Sequence, residues 1–174
     1  GPKYPRVGLV EVLEAMKARH PDIYPLFVVM LLTGLRFTHA SALKWADIDE
    51  RIHFVQGKTG KRIGMRIGPK LEVTLDECWR LPRGGCDGGE YVITRSCGGR
   101  YTSEGFRALW QRTIGKWVAL GNKRLNFHDL RAKCVSDSKS LQAASERAGH
   151  QDQTMTKRVY DRNEREVDSL DLED

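Results

Sequence analysis

NFHDLRAKCVSDSKSLQAASERAGHQDQTMTKRVY, residues 126–160, is the stretch whose reading decides the fold. Within it His128-Asp129-Leu130-Arg131, Ala148-Gly149-His150 and Tyr160 follow one another in that order. Upstream, Thr33-Gly34-Leu35-Arg36 and Gly57-Lys58-Thr59-Gly60 complete the set. Two arginines, two histidines, a lysine and a tyrosine are the side chains needed to grip a phosphodiester, attack it with a phenol and protonate the departing oxygen. A guanidinium suits the grip because it is planar, permanently cationic and bidentate. Each residue alone has a plain structural explanation: a surface arginine, a His-x-x-Arg pair on a helix turn, a half-packed tyrosine. Their joint order carries the signal.

The surrounding composition is that of one soluble globular domain: 174 residues, 40% hydrophobic and 30% charged. The longest apolar run, Leu26 to Leu32, falls far short of the roughly 20 residues that cross a bilayer. Gly1-Pro2-Lys3-Tyr4-Pro5 has no apolar segment of the secretory kind, so a cytoplasmic protein without a membrane partner is expected. With no initiator Met, Gly1-Pro2 is read as a tag-cleavage scar on an excised domain. Cys78, Cys86, Cys97 and Cys134 show no Cys-x-x-Cys and no Cys/His pair at metal spacing; reduced thiols and no metal or cofactor are expected.

The net charge of +6 is unevenly spread. Residues 161–174 hold seven acids and two bases, a balance of −5, so the preceding 160 residues carry +11. A basic body predicts a polyanionic partner, most economically nucleic acid.

Periodicity predicts an amphipathic helix over 9–19 and a second helix capped by Asp22, apolar all round from Leu26 to Leu32 and therefore central. Thr33-Gly34 ends it, Arg36 falls on a turn, and Thr38 is read as the cap of a short helix reaching Leu43 and Lys44. Ile52-His53-Phe54-Val55 and Ile63-Gly64-Met65-Arg66-Ile67 read as two antiparallel strands presenting Lys58 and Lys61 near their turn. A helix follows over Leu71–Leu81, then a glycine-rich loop over 82–89 without the context of a phosphate-binding loop, and a short extended piece at Tyr91-Val92-Ile93. Ser103 is read as the cap of a helix whose Phe106, Leu109, Trp110, Ile114, Trp117 and Val118 form a core stripe. Three short helices are predicted around 130–135, 141–148 and 154–161. The expected fold is mostly α with a small antiparallel β-sheet.

These strings resemble the tyrosine recombinase (phage integrase) family, over the chain from about Lys3 to Leu170. Thr33 to Arg36, followed by Leu43-Lys44-Trp45-Ala46-Asp47-Ile48-Asp49, is similar to the family's first box. Lys58 matches its hairpin lysine, and the strings around His128, Arg131, His150 and Tyr160 are similar to its second box. The resemblance implies a single catalytic domain over 1–174, with the DNA breaking-rejoining fold and an acidic tail at 161–174. The family's N-terminal core-binding domain has no room in this length.

The resemblance also implies roles. Arg36 and Arg131 clamp the phosphate, His150 donates to a non-bridging oxygen, and His128 acts as hydrogen-bond donor or general base. Tyr160 is the nucleophile of a covalent 3′-phosphotyrosyl intermediate, and Lys58 protonates the 5′-oxygen, with Lys61 as its rival. Implied partners are double-stranded DNA, further copies of the chain as a tetramer on it, and accessory DNA-bending proteins in a bacterial or phage-infected cell. Two other readings stay open: a type IB topoisomerase-like enzyme, and a catalytically silent DNA-binding protein of the same fold.

Three departures from the family pattern stand out. His39 occupies a position that is commonly acidic, the span from Arg131 to His150 is short, and Tyr160 lies ten residues after His150, which implies an extra loop residue. Val167, Leu170 and Leu172 give the tail an apolar edge able to dock on a basic surface, its own or a neighbour's; a frayed, solvated end is the alternative.

Overall fold

In the computed structural model, residues 8–55, 60, 62–81, 89–96 and 98–137 are described. Their order is α1 (Leu9–Arg19), α2 (Tyr24–Thr33), α3 (Phe37–Ala40), a 3-10 turn (Trp45–Asp47), β1 (Arg51–Val55), β2 (Arg62–Arg66), α4 (Pro69–Arg80), α5 (Ser103–Ala119) and α6 (His128–Ser136). The mostly helical architecture with one small antiparallel sheet is as the sequence predicts.

Helix α2 is the axis of the domain. Its residues are apolar on every side, so a stable arrangement must surround it. It packs against α1, α3, α4 and α6, while α1 also packs on α5. Leu26, Phe27 and Val29 have no exposed surface. Pro25 occupies the first turn, where its missing N–H is harmless, and Gly34 ends the helix in the left-handed region at φ 70°. At the other end of the domain Gly8 (φ 99°) precedes α1, and a Cβ there would meet the Trp117 ring at 2.7 Å.

Three expected caps are placed differently. Asp22 does not cap α2; Ile23 holds that position without a side-chain bond. The Asp22 carboxylate instead accepts from the Tyr101 hydroxyl at 2.8 Å, giving a buried phenol a partner. Arg36, not Thr38, precedes α3, and that helix stops at Ala40. The chain beyond is claimed by residues 90–92: Val92 N–H donates to the Leu43 carbonyl at 2.9 Å and Trp45 N–H to that of Glu90 at 3.0 Å. For α5 the cap is Thr102, whose Oγ1 accepts from Gly105 N–H at 3.1 Å, one residue before the Ser103 expected.

The two strands pair from Arg51↔Arg66 to Val55↔Arg62. Ile52 turns inward and is fully buried, which fixes the register. Residues 56–59 and 61, with Lys58 and Lys61, lie outside the described residues, as do the glycine-rich stretch 82–88, the two helices expected over 141–148 and 154–161, and the acidic tail.

A chain of aromatic ring contacts crosses the core. Phe27 lies 4.9 Å from Phe106 and 5.5 Å from Trp110 between centroids. Phe106 also meets Phe37 at 4.4 Å and Phe127 at 5.2 Å. Phe106 thus joins α2, α3, α5 and the segment entering α6, and is only 1% exposed. Phe106→Ala is expected to lower the unfolding free energy by about 3–5 kcal/mol, read from urea denaturation, because the cavity opens where four elements meet.

Candidate active site

The first arginine is positioned by the end of α2. Thr33 is buried; its Oγ1 donates to the Val29 carbonyl at 2.6 Å and accepts from Leu35 N–H at 3.1 Å. Gly34 then turns the chain, Leu35 anchors in the core at 3% exposure, and Arg36 emerges extended (φ −69°, ψ 153°) and exposed. The Thr-Gly-Leu-Arg string is therefore a helix stop with one polar brace, one left-handed turn and one apolar peg before the functional residue.

The second arginine comes from α6, and Arg131 Nη1 donates to the Gly34 carbonyl, 97 positions earlier. Burial and the neighbouring Arg36 lower its pKa to about 10. The guanidinium stays charged at neutral pH, yet it is held beside a like charge in a partly dry setting. An oxyanion between the two arginines relieves both penalties.

Two side-chain bonds around Asn126 hold the turn that enters α6, whose N-cap position is Phe127. His128 N–H donates to Asn126 Oδ1 at 3.1 Å, and Asn126 N–H donates to Asp129 Oδ2 at 2.8 Å. Asn126 and Asp129 have the spacing of a capping box, a signal present in the sequence but not used above. Asp129 is 5% exposed, so it supports the turn from inside and does not face solvent. The His128 ring rests on Phe127 with centroids 4.1 Å apart.

Arg36, His128 and Arg131 line one cavity of about 150 Å³, together with Thr38, Ser103 and Arg107. Its apolar wall is Met30, Leu35, Phe37, Phe106 and Phe127. Burial holds His128 below the ordinary histidine value, helped by Arg107, Arg131 and Arg36 and opposed by Asp129. His39 is likewise held low by burial and by Arg36 and Arg131. An acid at that position would neutralise the arginine pair; a neutral imidazole leaves their charge intact.

Three of the six predicted residues, Arg36, His128 and Arg131, are thus brought together by elements far apart in sequence. Lys58, His150 and Tyr160 lie outside the described residues. Arg107 was not singled out from sequence. Nothing in its local string separates it from the other members of a set of 29 lysines and arginines, and only the packing of α5 brings it to the cavity.

Comparison with known proteins follows the same lines. The model of the phage integrase family matches residues 9–166. Solved structures that superpose include lambda integrase bound to DNA, with 22% identity, TM-score 0.73, 98% of this chain covered and 63% of that one. A lambda integrase tetramer bound to a Holliday junction is also similar, with 22% identity, TM-score 0.71 and 94% and 49% coverage. The Tn1549 transposon integrase in complex with transposon right end DNA aligns at 15% identity with TM-score 0.72, over 90% of this chain and 60% of that one. The chain spans from about half to 63% of the length of these solved structures. No curated protein sequence matches it. With the family model covering nearly the whole chain and the tyrosine recombinase catalytic-domain fold on the page, the chain belongs to the phage integrase family.

Proposed function

We propose that the chain is the catalytic domain of a site-specific DNA recombinase that cuts and rejoins double-stranded DNA through a covalent 3′-phosphotyrosyl intermediate. The observation that carries this reading is the convergence of Arg36, His128 and Arg131 on one cavity, with Arg131 tied to the turn that presents Arg36. The two guanidiniums hold the non-bridging oxygens of the scissile phosphate and stabilise the charge that grows there during in-line attack. Tyr160 supplies the attacking phenol oxygen, whose proton passes to neutral His128 as general base; the phosphorus–oxygen bond to tyrosine forms as the bond to the 5′-oxygen breaks, and the phosphotyrosyl linkage conserves its energy for rejoining. Lys58, or Lys61 in its place, protonates the leaving 5′-oxygen, and His150 donates to a non-bridging oxygen. No cofactor enters these steps.

Lambda integrase, similar in fold, is seen as a dimer on a core site and as a tetramer on a Holliday junction. By extension, the partners proposed here are double-stranded DNA, further copies of the chain assembled as a tetramer on it, and accessory DNA-bending proteins, within a bacterial or phage-infected cell. The domain assignment belongs to the same proposal: one catalytic unit with an acidic tail at 161–174.

Incubation with a nicked suicide duplex carrying the cognate core site tests the reading. An SDS-resistant protein–DNA adduct is expected from the native chain and none from Tyr160→Phe, which loses only the hydroxyl; an adduct in the Phe variant would refute the nucleophile. Arg36→Lys and Arg131→Lys keep the charge but not the fork, and each is expected to slow adduct formation by about 10²–10³-fold in single-turnover assays. Near-native rates in both would dismiss the clamp.

The pH profile follows from the direction of the His128 shift. A histidine held below about 6.5 is neutral at pH 7 and gains its proton only as pH falls below that value. If neutral His128 is the working form, the second-order cleavage rate constant, which reports the unbound enzyme, is flat from pH 8 to about 6.5, with its acid limb below. The limb should vanish in His128→Asn; an acid limb unchanged by that substitution assigns it to another group.

A further inference from the structure

Three arginines line the cavity, and the reading above uses two of them. We propose that Arg107 is a further phosphate contact of the site, gripping the DNA backbone beside the phosphodiester held by Arg36 and Arg131. The proposal rests on the recombinase reading and extends it from one phosphate to a run of neighbouring phosphates on one strand.

Charge balance is the first support. Among the described residues the cavity lining carries Arg36, Arg107 and Arg131 and no Asp or Glu, while His128 is neutral. A phosphodiester brings one negative charge, so a single reacting phosphate leaves two of the three guanidiniums uncompensated. Adjacent phosphates of a polynucleotide supply the missing charge; a small isolated phosphodiester does not.

Position is the second. Arg107 sits on α5 between Phe106 and Trp110, each 1% exposed, so its backbone is fixed by the core on either side. The helix start is held by the Thr102 cap. Among the described residues no acid forms an ion pair with Arg107, whereas Lys44 pairs with Glu90 and Lys133 with Asp137. Arg107 and His128 line the same cavity, and after burial, and against the opposing Asp129, Arg107 is the strongest influence lowering His128, ahead of Arg131 and Arg36.

Bonding within the site, not exposure, sets the kind of contribution, since Arg36 is exposed as well but leaves the turn that Arg131 grips. Arg131 is half-buried and bonded to backbone, a setting suited to stabilising a transition state. Arg107 is exposed, so its interaction with phosphate is screened by water and salt. It acts as a binding contact, and a point charge suffices there.

The test uses the full 174-residue chain with Arg107→Gln, Arg107→Lys and the control Arg112→Gln. Arg112 lies on the same helix five residues on, roughly 140° round its axis, is exposed and does not line the cavity. Duplex binding is measured against salt concentration, adduct formation on the suicide duplex against DNA concentration, and the His128 imidazole is titrated by NMR without DNA. In Arg107→Gln the logarithmic salt slope should fall by about 1, and the half-saturating DNA concentration should rise about tenfold near 0.1 M salt. The rate at saturation should stay within about threefold of native, in contrast to the loss expected for Arg36→Lys. Arg107→Lys should recover most of the binding. The His128 midpoint should move up in Arg107→Gln and stay in place in Arg112→Gln. An Arg107→Gln protein that binds and titrates like Arg112→Gln overturns the proposal, even with a normal native adduct. A native chain that forms no adduct, but whose DNA affinity and His128 midpoint still depend on Arg107, upholds the phosphate contact and refutes the recombinase chemistry alone.

Discussion

The site depends on one bond, from the Arg131 guanidinium to the Gly34 carbonyl. It ties the end of the central helix α2 to α6 across 97 positions of chain. Gly34 can offer that carbonyl because it turns the chain at φ 70°, a conformation in which any residue with a Cβ is strained. Two residues on, Arg36 leaves the same turn. The geometry between the two arginines is therefore tied to a short stretch of backbone through this hydrogen bond, and does not rest on two independent long side chains.

That arrangement holds like charges together. Arg36 contributes to the lowering of Arg131 to about 10, and both lower His39 and His128. A cluster of cations with no acid beside it among the described residues of the cavity wall is electrostatically costly, and an anion removes the cost. His39 belongs to this logic. A carboxylate at its position would offset the arginines permanently, whereas a neutral imidazole leaves the pair's full charge for the ligand.

The apolar core reaches the site directly. From Trp110 through Phe27, Phe106 and Phe127, successive rings lie between 4.9 and 5.5 Å apart, and His128 rests on the last of them. Stacked and edge-on contacts of this kind fix ring orientation as well as burying area. The imidazole consequently lies against packed aromatic carbon while lining the cavity, and its desolvation follows from the same packing that stabilises the fold.

The sequence by itself determined the helices α1, α2, α4 and α5, the strand pair and the arginine strings, because apolar period, β-branched runs and the Thr-Gly stop are local signals. Leu26 to Leu32 reads as a central helix for the simple reason that no face of it is polar. Caps were less legible: Asp22 prefers a tyrosine hydroxyl 79 positions away to the helix beside it, and Lys44 leaves its expected helix to pair with Tyr91. Both outcomes are long-range competitions that a local string cannot record. The cavity itself is of that kind. Arg36 on the turn before α3, Arg107 on α5 and Arg131 on α6 come from three separate parts of the chain, and no spacing in it encodes their meeting. Tertiary packing around α2 decided which of the 29 basic residues share one wall, because the field at an anion site depends on distance in space and not on order along the chain.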